Sequence, residues 1–133
     1  MKIMIDTNII VSAILFPEGS ISLLLKNIVK SHEIYISTFS IEELTLVFER
    51  KFKDKKAAID NFLNELSYEL VYTPVVIDRT KLPYIRDSKD YPILASAINA
   101  DVDILLSSDK DFIGVDCKRP EILTPQLFKE KYL

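Results

Sequence analysis

Carboxylates recur just past the apolar runs of this chain. Ile3-Met4-Ile5 ends in Asp6, and Ile104-Leu105-Leu106 is followed by Ser107-Ser108-Asp109, with Asp111 two residues on. The run Glu33 to Ile36 leads to Ser40 and a segment carrying Glu42 and Glu43, and Arg86-Asp87-Ser88-Lys89 leads to Asp90. Acids gathered in one place repel one another and raise each other's pKa, a cost that a divalent cation among them relieves. Oxygen donors without His or Cys select a hard ion, Mg²⁺ or Mn²⁺. His32 and Cys117 are the only residues of their types, which excludes a zinc finger, a His-rich site and a disulfide framework. Gly19 and Gly114 are the only glycines, which excludes a glycine-rich phosphate loop.

Each acid also has an ordinary reading. Asp6, Asp109 and Asp111 suit turns, Glu42 and Glu43 suit a solvated first helical turn, and Asp87 and Asp90 suit the start of a helix. What weighs against these readings jointly is the order of the elements. Ile3 to Ile5, Glu33 to Ile36, Asp103 to Leu106 and Ile122-Leu123 read as strands, with Val71-Tyr72 and Val75 to Ile77 extended around Pro74. Ser20 is expected to cap a helix bearing Ile21, Leu24, Leu25 and Ile28, and Ser40 another bearing Ile41, Leu44, Val47 or Phe48, and Phe52. A third helix carries Ile59, Phe62, Leu63, Leu66 and Leu70. A fourth spans about Asp90 to Ala100, and a last one opens at Thr124-Pro125. Apolar runs alternating with amphipathic helices predict an α/β domain with a mostly parallel central sheet and helices on both faces. Ligands of such sheets bind beyond the carboxyl ends of the strands, where these acids fall.

The 133 residues suit a single domain over 1–133, and 48% hydrophobic content supplies a core without disulfides or structural metal. The net charge of −3 argues against a coat of non-specific nucleic-acid binding, so any such contact must be a local patch or run through a bridging cation. Arg86, Lys89 and Lys110 flank the acids and form the candidate rim. The basic run Arg50 to Lys56 reads as a solvated helix junction. Charge interrupts the start before a secretory signal forms, and the run Ile9 to Phe16 is too short to span a bilayer. No membrane association and a reducing, cytoplasmic setting are expected.

Three segments resemble one family. Ile5-Asp6-Thr7-Asn8 looks like the opening of the PIN-domain nucleases. Arg86-Asp87-Ser88-Lys89-Asp90 through Ala97 is similar to their central acidic motif, where an Asp begins a helix. Asp103 through Phe112 is similar to their third motif, and Ile122 through Phe128 to their closing strand and helix. The resemblance runs nearly end to end and implies a three-layer α/β/α PIN-like domain. Carried over by motif, Asp6, Asp90 and Asp109 match the family's metal-binding acids, and Glu43-Leu44 fits the fourth acidic position better than Glu42. Asp111 matches an accessory position that reaches toward a second metal. Asn8 and Ser107 are expected to orient Asp6 and Asp109. Ser107-Ser108 replaces the commoner Thr-Gly of that turn and leaves the acids intact.

The resemblance implies a Mg²⁺- or Mn²⁺-dependent ribonuclease, with Asp6, Glu43, Asp90 and Asp109 as its catalytic acids. Phosphodiester hydrolysis places negative charge on the attacking and leaving oxygens, which paired cations can stabilise together. By the same resemblance the chain is expected to be the toxin of a type II toxin–antitoxin pair, with RNA as substrate, an antitoxin protein as partner and a homodimer as its assembly. Two rivals stand beside this reading. One is a catalytically silent PIN-like module that binds RNA or protein. The other is a phosphoaspartyl protein of phosphatase or receiver type, which the Asn at position 8 disfavours, because the phosphatases place a second Asp there.

Overall fold

The computed structural model describes residues 1–112 and 114–133. Five strands, β1 (Lys2–Ile5), β2 (Glu33–Ser37), β3 (Glu69–Val71), β4 (Ile104–Leu106) and β5 (Glu121–Leu123), form one sheet in the order β3-β2-β1-β4-β5. Every pairing is parallel, with Ile3 beside both Ile34 and Ile104. The helices are α1 (Thr7–Leu15), α2 (Ser20–Ile28), α3 (Thr38–Lys51), α4 (Lys56–Glu65), α5 (Tyr91–Asn99) and α6 (Pro125–Tyr132).

The alternation of side chains along a strand divides the core in two. Ile3, Ile5, Ile34, Ile36, Ile104 and Leu106 pack with Ile10 and Leu25 of α1 and α2, Leu44 and Phe48 of α3, Ile59 of α4 and Phe128 of α6. Met4 and Leu105 face the other way, onto Ile93, Leu94 and Ala97 of α5 and onto Ile85 and Phe112 from connecting segments. The result is the expected three-layer α/β/α arrangement around a parallel sheet. No single helix among the described residues is long and apolar enough to cross a membrane.

Local chemistry departs from the sequence expectations in several places. Most of the run Ile9 to Phe16 lies in α1, a helix that the sequence pattern does not predict; it buries Ile9, Ile10, Ala13 and Ile14 and ends before Phe16. Ser20 is the first helical residue of α2 and Gly19 is its cap. Ser37, not Ser40, caps α3: its Oγ accepts from Ser40 N–H at 3.1 Å, so β2 runs into the helix without a loop. The helix expected to reach Leu70 ends at Glu65, and Leu70 lies in β3. Val75 and Val76 are β-branched yet exposed and form no strand.

Candidate active site

The strand order reverses between β1 and β4, so the carboxyl ends of these two neighbours open a crevice at the topological switch point. Asp6 leaves β1 there and Ser107 leaves β4. Asp6 N–H extends the ladder to Leu106 O at 3.0 Å, and Ser107 N–H does so to Leu123 O at 3.0 Å. Both side chains are buried. One Asp6 carboxylate oxygen accepts from Thr7 N–H at 2.7 Å and the other from Ser107 Oγ–H at 2.7 Å. Ser107 Oγ in turn accepts from Asp109 N–H at 3.1 Å, and Asp109 Oδ1 accepts from Asp111 N–H at 2.9 Å. A chain of hydrogen bonds thus sets Asp6, Asp109 and Asp111 relative to one another.

The opposite wall comes from the approach to α5. Asp87 caps a 3₁₀ turn over Ser88–Asp90 by accepting from Lys89 N–H at 3.0 Å. Asp90 occupies the cap position of α5, yet its side chain makes no capping hydrogen bond. Its Oδ2 is buried without a hydrogen-bond partner among the described residues. Capping therefore does not account for this residue. Tyr91 is held by Ile85 N–H, which donates to its hydroxyl at 3.0 Å, and this fixes the segment that delivers Arg86, Asp87 and Asp90.

Carboxylate oxygens of Asp87, Asp90 and Asp111 lie within 4.8 Å of one another. Burial pushes the Asp90 carboxyl up to about 7, and the charges of Asp109, Asp6, Asp87 and Asp111 push in the same direction. Burial likewise pushes Asp6 up to about 6, against the lowering effect of the bonds from Ser107 and Thr7, while the Glu43 and Asp109 charges raise it further. Glu43 is half-buried on α3 and Glu42 is exposed. Hydrogen bonds and mutual charge effects thus link Asp6, Asp87, Asp90, Asp109 and Asp111 around one crevice, and the Glu43 charge is felt at Asp6. An all-oxygen donor set with a buried, unpartnered carboxylate oxygen fits a hard divalent cation.

The structure differs from the sequence expectations at two residues. Asn8 is exposed on α1, and the Asp6 contacts come from Thr7 and Ser107; two residues into a helix the chain has already rotated away from the crevice. Asp87, read from sequence as a helix-start residue, does cap its turn but also joins the acid group. Its spacing of three from Asp90, one helical turn, is the signal that could have found it.

Lys89 and Lys110 are exposed beside the crevice, and Arg86 donates to Asp111 through Nε at 2.9 Å and through a second, closer guanidinium nitrogen. A larger groove of about 340 Å³ between α1, α2 and α4, lined by Leu25, Val29 and Phe62 among others, shares no residue with the acids.

Among solved structures, the crystal structure of VapBC2 from Rickettsia felis bound to a DNA fragment from their promoter is similar in fold. It matches with a TM-score of 0.73 and 24% identity, over 93% of this chain and 98% of that one. A search of curated protein sequences gives no match. The family model described as PIN domain matches residues 2–111, which takes in every acid of the crevice. The chain belongs to the PIN domain family.

Proposed function

We propose that this protein is a Mg²⁺- or Mn²⁺-dependent endoribonuclease that hydrolyses RNA phosphodiester bonds, and that it is the toxin of a toxin–antitoxin pair. The observation that carries the catalytic reading is Asp90, a half-buried carboxylate among other acids whose buried Oδ2 meets no donor among the described residues. Asp6, Asp90, Asp109 and Asp111 would hold the cation, with Asp87 within reach and Glu43 completing the acidic wall. When bound, such an ion supplies Lewis-acid polarisation of a phosphoryl oxygen and offsets the charge that develops in the transition state.

The chain's own residues do the rest. Ser107 keeps Asp6 and Asp109 in one geometry, so the ligands need little reorganisation when the ion arrives. Arg86, Lys89 and Lys110 at the rim would meet the phosphates on either side of the cut, which answers the negative net charge of the chain. The toxin reading is supported by the whole-chain resemblance and by a fold shared with a VapBC2 assembly bound to promoter DNA. It implies an antitoxin partner and a homodimeric toxin.

The test is cleavage of single-stranded RNA by matched preparations of wild type and Asp6→Asn. Wild type should cut with Mn²⁺ or Mg²⁺ and not with chelator, and Asp6→Asn should lose cleavage while keeping its fold. Equal cleavage by both proteins would assign the activity to a contaminant or to another site.

A further inference from the structure

The acid crevice opens on one side into a second cavity, of about 240 Å³. Ser107 and Asp109 line both. Past them the walls turn apolar: Phe112, Val115, Ile122 of β5 and Leu127 of α6. Phe112 is buried in the core and anchors its wall, while Leu127 is 49% exposed. Polar groups stand among them: Cys117, Glu121, whose carboxylate accepts from Lys131 and Tyr132, and Thr124. Thr124 Oγ1 accepts from Leu127 N–H at 3.2 Å as the cap of α6, and its own hydroxyl proton has no acceptor among the described residues.

A partly apolar cavity that shares Ser107 and Asp109 with a site for phosphate chemistry, and has Glu121 in its wall, restricts what can enter. Asp109 at the shared edge repels a phosphate that lacks a neutralising cation. A nucleobase is uncharged, presents apolar faces and carries donors and acceptors only on its edge. Pockets that enclose a whole small-molecule ligand usually measure roughly 300–1,000 Å³. At about 240 Å³ this one takes a ring system and leaves the sugar and phosphate outside. The larger groove under α1, α2 and α4 shares no wall with the acids, so a nucleotide bound at the crevice does not reach it.

We propose that this cavity is a nucleobase pocket, seating one base of single-stranded RNA beside the phosphodiester held at the acids. The inference rests on the ribonuclease reading above. A base must be unstacked to enter, so the pocket selects single-stranded regions and, through Thr124 and the cavity shape, contributes to choosing the cut.

The experiment uses an RNA oligonucleotide that the protein cuts at one place, together with a set of the same oligonucleotide carrying a single abasic site at each position in turn. Loss of the seated base should lower kcat/KM on the order of 10- to 100-fold at one fixed position next to the cut and little elsewhere. Leu127→Ala, at an exposed wall position, should shrink that position-specific penalty, with the abasic substrate cut equally by wild type and variant. A cleaved set with no privileged position would overturn the pocket and leave the ribonuclease reading standing.

Binding separates the two readings if no RNA is cut. Asp6→Asn with Mn²⁺ and RNA carrying 2-aminopurine at successive positions should show a fluorescence change at one position, lost in the Asp6→Asn, Leu127→Ala double variant. The same emission at every position, or a change that survives Leu127→Ala, would overturn the pocket on its own.

Discussion

The Ser107 hydroxyl donates its proton to Asp6 and accepts from Asp109 N–H, so one small side chain joins two acids from different strands. Ser107→Ala would leave a buried Asp6 oxygen without its donor, at a cost of about 1–3 kcal/mol. The same change should weaken Mn²⁺ binding roughly 10- to 100-fold, as loss of ligand-orienting partners does. Calorimetric titration with Mn²⁺, alongside a denaturant melt, checks both. Asp87 allows a finer cut, because Asn caps a helical turn about as well as Asp does. Asp87→Asn should therefore leave the thermal midpoint nearly unchanged while lowering Mn²⁺ affinity. Unchanged affinity would return Asp87 to a purely capping role.

At the scale of elements, the join between β2 and α3 is where a local bond sets the start of the helix that carries Glu43. Ser37 Oγ satisfies the Ser40 N–H and exchanges a hydroxyl contact with Ser40 Oγ at 3.1 Å, both fully buried. Ser37→Ala should destabilise the protein by about 1 kcal/mol, within the range of 0.5–2 for a lost cap, read as a lower melting temperature. With it the first turn of α3 should loosen, and Glu43 with it.

The strands β1, β2, β4 and β5 were legible because short apolar runs bounded by polar residues have few other uses. Asp6 and Asp109 followed as the residues just past them. Helix α1 was not legible, because Val11 and Leu15 are apolar although they lie outside its buried face of Ile9, Ile10, Ala13 and Ile14, so the run shows no clear polar stripe. The choice between Ser37 and Ser40 as a cap rests on whether a strand passes directly into a helix, which the residue types do not encode. Asp87 stayed hidden because a capping acid and a ligating acid look alike until the turn is folded.

The whole molecule carries a conflict between folding and ionisation. Asp6 and Asp90 have native pKa values of about 6 and about 7, both raised from 3.8. The native state thus holds more protons than the unfolded chain between those limits. The stability these groups contribute is fully present below about pH 4 and falls as pH rises through the window to about 7. A cation that binds only the folded form offsets this loss by mass action. Melts with chelator should show the midpoint falling from about pH 5 to about pH 8 through these two groups. Adding Mn²⁺ should raise the midpoint more at the upper pH. An equal Mn²⁺ effect at both values would mean that the ion does not displace these protons.

The hydrogen bond from Ser107 to Asp6 joins residues 101 positions apart. A ribosome therefore releases Asp6 and Glu43 long before, and Asp90 shortly before, the strand that draws the acids into register. Until β4 emerges and slots beside β1, the growing polypeptide carries most of the acids and no assembled crevice. Translation itself thus times the appearance of the site, and prematurely terminated copies are born without it.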